Sequence, residues 1–100
     1  MILEHAIFTI QPGKEEQFEA VFPAAIKVLA SSQGYITHEL QRSIEAPNRY
    51  SLFVQWEKLE DHMQTFRGSD LFTQWRGYVG PFFAAAPVVE HWRLLTGNRR

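Results

Sequence analysis

A β-hairpin is predicted near the middle of the chain, where residues 35–56 read YITHELQRSIEAPNRYSLFVQW. Residues 50–56 alternate in the manner of a strand with one buried face. That face carries Tyr50, Leu52, Val54 and Trp56. Residues 35–43 also have the pattern of a strand, and the turn-forming residues 45–48 separate the two. Because this connection is short, the two strands should pair antiparallel.

The segment before the hairpin predicts a strand followed by a helix. Residues 2–10 are largely apolar and stop at Pro12-Gly13, as expected of a strand. Apolar residues then recur at helical spacing, up to a helix end near Gly34. This stripe consists of Phe18, Phe22, Ala25, Ile26 and Leu29. Pro23 lies inside it and predicts a kink rather than a break, because the stripe continues beyond it.

The segment after the hairpin predicts helical structure and a last strand. Residues 57–66 form a second helical region, and residues 68–70 interrupt it with a serine that can cap a further segment. That segment carries apolar residues at helical spacing, namely Phe72, Trp75, Val79 and Phe83, and Gly80-Pro81 should weaken its end. Pro87 precedes a fourth strand over residues 88–95, and residues 96–100 should form a frayed tail.

The resulting order, β-α-β-β-α-β, predicts one α+β domain over residues 1–100 with the ferredoxin-like fold. Right-handed crossovers place both helices on one face of a four-stranded antiparallel sheet. The strands are too apolar for two helices to cover, and the residues concerned include Phe8, Leu52, Phe53, Val88, Val89 and Trp92. We therefore expect a homodimer in which a second copy packs sheet to sheet.

Composition narrows the class of protein. The 100 residues carry a net charge of -1, which argues against the basic face that binds nucleic acid. The absence of cysteine excludes disulfides, thiolate chemistry and cysteine-type zinc sites. No apolar run is long enough to span a membrane, and the N-terminus does not read as a signal peptide. We expect a soluble, cytoplasmic protein that binds neither nucleic acid nor membrane.

Three short motifs follow one another in the second half of the chain. They are an aromatic–acidic pair at a strand end, a leucine followed by a histidine on a helix, and a Ser-x-x-Phe start to the next segment. They occur at Trp56-Glu57, at Leu59 with His62, and at Ser69 with Phe72. Together with residues 42–50, 66–72 and most of the remaining chain, they resemble the antibiotic biosynthesis monooxygenase superfamily.

The resemblance implies a dimer whose two sheets form an α/β barrel, with a pocket in each subunit between sheet and helices. Characterised members oxygenate phenols, quinols or polyketide aromatics with O₂ and without metal or flavin, so the resemblance implies no cofactor and no metal site. Another branch degrades haem with an asparagine, a tryptophan and a histidine. His5, Phe66 and Arg76 hold those places here, which disfavours haem degradation.

An oxygenase of this kind needs a base that makes its substrate electron-rich, and histidine is suited to that at neutral pH. His5 lies mid-strand and aligns with a polar pocket residue of the family, so it is the favoured base, with a core role as the alternative. We expect His5→Ala to abolish turnover. His62 and His91 are further catalytic candidates, with helix anchoring and subunit contact as alternatives. His91 should approach His5 if strands one and four pair antiparallel. His38 is a candidate for substrate binding or for the subunit interface.

The aromatic content, 14%, exceeds what so small a core needs, so some rings should line a pocket or a subunit contact. Phe66, Phe72 and Trp75 share one helical face and are the predicted wall for a flat aromatic ligand, with ordinary core packing as the alternative. Arg67 and Arg76 either neutralise a bound anion or are simply solvated.

These candidates predict a cofactor-independent monooxygenase that oxidises a small aromatic, phenolic or quinol substrate with O₂. The alternative is a non-catalytic dimer that binds a small molecule or is associated with stress. An isomerase or a lyase would use the same pocket and base.

Overall fold

The predicted order of strands and helices is confirmed. The computed structural model describes residues 1–97, which form the ferredoxin-like β-α-β-β-α-β arrangement. Its elements are β1 (Ile2–Thr9), α1 (Glu15–Ala30), β2 (Tyr35–Arg42), β3 (Arg49–Trp56), α2 (Asp70–Val79) and β4 (Val88–Trp92). A π-helix (Asp61–Phe66) precedes α2, and a 3-10 turn (Gly80–Phe82) follows it. The strands pair antiparallel in the order β2-β3-β1-β4, so β1 is central.

The hydrophobic core lies between the sheet and the two helices. Alternate residues of β1 and β3 point into it, as the hairpin pattern predicts, and they meet the apolar stripe of α1. Phe8 and Leu52 belong to this buried face. The expectation that they need a second copy to cover them is therefore wrong, because the strand alternation turns both side chains toward the helices.

The opposite face of the sheet carries no helix. The registers place Leu3 opposite Trp92, Ile7 opposite Val88, and Phe53 opposite His5. Five apolar side chains on this face form a patch that we call the outer-face patch, namely Leu3, Ile7, Phe53, Val88 and Trp92. Val88 and Trp92 are each 55% exposed, whereas the other three are partly buried. An open sheet face thus presents apolar surface to solvent.

Strand β4 ends at Trp92, earlier than the predicted residue 95. Trp92 pairs with Leu3, and β1 begins at Ile2, so β1 offers almost nothing for later residues to pair with. Of the tail predicted to fray over 96–100, residues 98–100 lie outside the described part of the chain.

The end of α2 also differs from the prediction. The helix stops at Val79, and Phe83 forms an isolated bridge with Ile10 instead of a further helical turn. Proline at 81 cannot donate the next helical hydrogen bond, which accounts for the change. Ser69 is the residue before α2, as predicted, but its hydroxyl donates to the Phe66 carbonyl over 2.7 Å rather than capping the helix.

The π-helix is the local feature that the sequence pattern does not indicate. Its wider turn closes with a hydrogen bond from the Arg67 amide to the His62 carbonyl, and it buries Asp61, His62 and Phe66. Asp61 packs against Gly34, where a Cβ atom would overlap its carboxylate. Gly34 has φ +85°, so both conformation and space require glycine there.

Within residues 1–97, no helix is both long enough and apolar enough to cross a bilayer.

Candidate active site

The inner face of β1 carries a carboxylate in the core. Glu4 shares this face with Ala6 and Phe8 and is only 4% exposed. The indole N–H of Trp56 donates to its Oε1 over 2.9 Å. Trp56 belongs to β3, the neighbour of β1 on one side. On the neighbouring strand at the other side, β4, the register sets His91 directly opposite Glu4.

The π-helix brings His62 onto this carboxyl group. Nε2 of His62 lies 3.4 Å from Oε1 of Glu4, and Nδ1 shares a hydrogen bond of 2.8 Å with Nε2 of His91. The imidazole is stacked on the Trp56 ring, with centroids 5.3 Å apart and planes inclined by 20°. Glu4, His62 and His91 thus form a continuous chain of titratable groups, which we call the Glu4–His62–His91 cluster.

Burial keeps Glu4 and His62 uncharged between about pH 4 and pH 7. It raises the pKa of Glu4 to about 7, against the opposing effects of the Trp56 hydrogen bond and of Arg67. It lowers the pKa of His62 to about 4, with His91 and Arg67 acting in the same direction. Burial and Arg67 also lower the pKa of His91. Between about pH 4 and pH 7, the Glu4–His62 contact therefore joins a carboxylic acid to a neutral imidazole and is not an ion pair.

A cavity of about 480 Å³ lies between the sheet and the helices, and Glu4 and His62 both line it. This volume is within the usual range for small-molecule sites. Most of the wall is apolar and includes Phe8, Leu29, Phe66, Phe72, Trp75 and Phe83. A carboxyl group that titrates near neutrality in such surroundings is suited to accept a proton from a bound molecule and to return it.

Five of the seven predicted site residues gather at this cavity. His62, Phe66, Phe72 and Trp75 line it, and His91 reaches it through its hydrogen bond to His62. Phe66 and Phe72 meet edge to face, with centroids 5.6 Å apart. The structure thus brings the predicted aromatic wall together with two of the candidate histidines.

His5 lies on the other face of the sheet, so the expectation that it points into the pocket is wrong. Its ring is stacked on Phe53 at 4.5 Å, and its Nε2 shares a 3.0 Å hydrogen bond with the Ser51 hydroxyl. His91 does not approach it, because β4 pairs His5 with Glu90 and turns His91 to the inner face. Consecutive residues on a strand point to opposite faces, and His5 follows Glu4.

His38 is also separate from the cavity. It lies on the edge strand β2 opposite Val54, which in turn lies opposite Glu4, so two strand spacings separate it from the carboxyl group. Its Nδ1 shares a 2.7 Å hydrogen bond with the hydroxyl of Tyr35, and the side chain is exposed. His38 does not join the other candidates.

Sequence reasoning missed Glu4, although the chain contained a signal for it. Glu4, Ala6 and Phe8 alternate along β1, and Ile10 follows at the same spacing just after it; all but Glu4 are residues that a core accepts without difficulty. An acidic residue on a buried strand face is rarely accidental, since burying a charge is costly.

Among residues 1–97, no three histidine, cysteine or acidic side chains are arranged to hold a metal ion.

Comparison with known proteins identifies relatives across the whole chain. The family profile described as "Antibiotic biosynthesis monooxygenase" matches residues 1–78. YczJ of Bacillus subtilis, an uncharacterised protein, is 39% identical over 93 residues, which make up 93% of this chain and 98% of YczJ.

Solved structures agree with this result. A Bordetella bronchiseptica protein that carries the family's name is 42% identical, with a TM-score of 0.91 over 95% of this chain and 97% of its own. SnoaB of Streptomyces nogalater, described as a cofactor-independent oxygenase, has a TM-score of 0.80 over 96% of this chain and 94% of its own. At 17% identity, that likeness shows the fold alone. The profile match and the 39% identity to YczJ establish that this chain belongs to the antibiotic biosynthesis monooxygenase family.

Proposed function

We propose that this protein is a cofactor-independent monooxygenase that oxidises a small phenolic or quinol-type aromatic molecule with O₂, with Glu4 as the base. The observation that carries the proposal is the placement of Glu4, a carboxyl group whose pKa burial raises to about 7, in the wall of an aromatic cavity. Membership of the family supports the reaction class. The carboxyl group takes the role that the sequence alone assigned to His5, because His5 is on the far face of the sheet.

The first step is removal of the phenolic proton. Ionised Glu4 accepts it, and the resulting phenolate is electron-rich enough to transfer one electron to O₂. A bound aromatic molecule displaces water from the apolar wall, which keeps the anion reactive and limits side reactions. Arg67 and Arg76 stand in the exposed part of the cavity wall, and their charge makes the cavity as a whole favourable for an anionic ligand.

The Glu4 carboxyl group also carries out the proton transfers of the remaining steps. Superoxide and the phenoxyl radical combine at a ring carbon, forming a C–O bond, and protonated Glu4 returns its proton to the new peroxide. Glu4 then removes the hydrogen of that ring carbon as a proton, the O–O bond breaks, and the ring carbon becomes a carbonyl. The hydroxide that leaves takes the proton from Glu4 as water. One atom of O₂ enters the product, the other enters water, and Glu4 ends as a carboxylate.

His62 and His91 act as positioning residues in this scheme. His62 and the indole N–H of Trp56 both contact Oε1 of the carboxyl group and hold it in place. The bond from His62 to His91 extends the cluster to the partly exposed strand β4. Glu4 thereby has a route for proton exchange with solvent when the cavity is occupied.

Oxygen uptake by the wild type and by Glu4→Gln tests the proposal. Purified protein in metal-chelated, flavin-free buffer should consume O₂ with at least one of a panel of naphthols, anthrones and naphthohydroquinones. Glu4→Gln keeps the shape and the Trp56 hydrogen bond but cannot accept a proton, so the turnover rate should fall about 10²- to 10⁴-fold. The wild-type value of kcat/KM should rise with pH and level off above pH 7, as Glu4 ionises.

His5→Gln is the control for this experiment, because it retains a polar partner for Ser51 on the outer face. It should keep near wild-type turnover, in contrast to the loss first expected for His5→Ala. Loss of activity in His5→Gln with full activity in Glu4→Gln would reverse the assignment. Ligand binding without oxygen uptake across the whole panel would favour the non-catalytic binding protein.

We also propose that the protein is a homodimer formed through the outer-face patch. Five apolar side chains share this open face, and surfaces of this kind commonly mark subunit contacts. Beside them, Met1, Leu94 and Leu95 line an open groove of about 810 Å³ and are also exposed. A second copy packed face to face would cover both, and it would enclose the His5–Ser51 pair at the interface.

A further inference from the structure

Two arginines converge on one aromatic ring in the wall of the cavity. Arg67 follows the π-helix and Arg76 lies in α2. Their guanidinium carbons are 5.5 Å and 5.8 Å from the centroid of the Phe72 ring. Both line the cavity and both are exposed, so they stand where the cavity meets solvent. Each contact with Phe72 sets a positive charge on the same part of the wall, and two such charges together favour binding of an anion there.

No carboxylate in the described part of the chain lies within ion-pair distance of either arginine. The two ion-pair contacts there are Arg42 with Glu19 and His62 with Glu4. Glu4 is the acidic residue in the cavity wall, and below neutral pH it is protonated. The cavity therefore holds two positive charges with at most one negative charge opposite them.

The arrangement of the wall defines the shape of a complementary ligand. Phe66, Phe72 and Trp75 offer flat apolar surface inside the cavity, whereas the guanidinium groups stand at its exposed end. A planar guanidinium matches a carboxylate through two parallel N–H···O bonds, in a geometry that a neutral carbonyl cannot exploit. The complementary molecule has an aromatic ring at one end and a carboxylate at the other.

We propose that the substrate is an aromatic carboxylate, whose ring enters the cavity beside Glu4 and whose carboxylate is bound by Arg67 and Arg76. The inference rests on the proposed function for the fate of the ring. Recognition of the carboxylate is independent of turnover, because it uses side chains that take no part in proton transfer. Both arginines select the substrate and compensate its charge.

Calorimetric titration with two unreactive probes tests this inference. The probes are 2-naphthoate and naphthalene-2-carboxamide, which share their ring system and nearly their shape but differ in charge. Wild-type protein should bind naphthoate about ten-fold or more tightly than the carboxamide at low salt. The preference should shrink as ionic strength rises, because the arginines are exposed. Equal affinity for the two probes, or no binding of naphthoate, would overturn the inference.

Variants locate the source of the preference. Arg67→Gln and Arg76→Gln should each remove most of the preference for naphthoate and leave carboxamide binding almost unchanged. Lys27→Gln removes one positive charge from an exposed position on α1, outside the cavity wall, and should retain the full preference. A preference that survives both arginine substitutions would contradict the assignment.

The same titrations separate this inference from the proposed function. Selective naphthoate binding with no oxygen uptake on the panel or on hydroxynaphthoates, which add the carboxylate to the phenol, would contradict the oxygenase and leave carboxylate recognition standing. Oxygen uptake that is lost in Glu4→Gln, combined with equal binding of the two probes, would contradict carboxylate recognition and leave the oxygenase standing.

Discussion

Glu4 and His62 are buried together, and burial affects their protonation in opposite directions. Between about pH 4.5 and 6.5, folded Glu4 holds a proton that the unfolded chain has released, whereas folded His62 lacks a proton that the unfolded chain has bound. The Glu4 contribution makes stability fall as pH rises, and the His62 contribution makes it rise. In the wild-type protein the two contributions largely cancel in this window.

Substitution of one partner should expose the contribution of the other. In Glu4→Gln, the free energy of unfolding should rise by about 2 kcal/mol from about pH 4.5 to 6.5, at no more than about 1.4 kcal/mol per pH unit. In His62→Gln it should fall by a similar amount, because buried Glu4 then acts alone. Urea unfolding at one fixed protein concentration measures both profiles. A flat profile in Glu4→Gln would mean that His62 titrates normally.

Much of the site could be predicted residue by residue, but the face that each β1 side chain occupies could not. Helical spacing and short motifs are local features of the sequence, and they were enough to predict His62, Phe66, Phe72 and Trp75 as candidates. His5 and Glu4 are neighbours on a strand with apolar residues on both faces, so periodicity alone does not say which of them points inward. Register with β3 and β4 decides it, and register is a tertiary property.

At the level of elements, the π-helix and the glycine before β2 work together. Gly34 provides a positive φ and also leaves room for Asp61, which begins the π-helix. The π-helix in turn sets His62 against Glu4. The sequence predicts helical structure over residues 57–66. The extra residue in the π-helical turn depends on packing against the sheet, so local sequence does not predict it.

Gly34→Ala should therefore cost more stability than glycine-to-alanine replacement at another positive φ. Gly13 is the matched control, because its φ is +89° and no other atom lies within 4 Å of the Cβ position. Gly13→Ala should lose about 1–2 kcal/mol of unfolding free energy from backbone conformation alone. Gly34→Ala should lose clearly more, since the added methyl group also displaces Asp61. Equal losses in urea unfolding would contradict crowding by Asp61.

At the scale of the whole molecule, the fold could be predicted from the sequence. The set of apolar side chains left uncovered on the sheet could be predicted only in part. The element order follows from periodicity and turn residues, and the four-stranded sheet follows from the order. Phe8, Leu52 and Val89 were assigned to the wrong face, whereas Val88 and Trp92 are exposed, as the burial argument requires. The outer-face patch is thus smaller than expected, and it extends across β3, β1 and β4 with His5 and Glu90 between its apolar residues.

Two adjacent valines allow the proposed dimer to be tested. Val88 belongs to the outer-face patch, while Val89 faces the cavity and is 38% exposed. Analytical ultracentrifugation at micromolar concentration should give the mass of two chains for the wild type and for Val89→Lys. Val88→Lys should shift the mass toward one chain, because a lysine there would be buried without a partner. A wild-type mass of a single chain would exclude the dimer.

The central position of β1 has one more consequence. Glu4 and His5 are successive residues on opposite faces of the sheet. Glu4 faces the cavity, whereas His5 lies on the outer face that we propose as the dimer contact. A shift of the β1 register by one residue would exchange their faces. It would place the His5 imidazole in the aromatic cavity and the Glu4 carboxyl group on the outer face. The proposed catalysis and the proposed dimer thus depend on one strand register, and a mutation that loosens it should impair both at once.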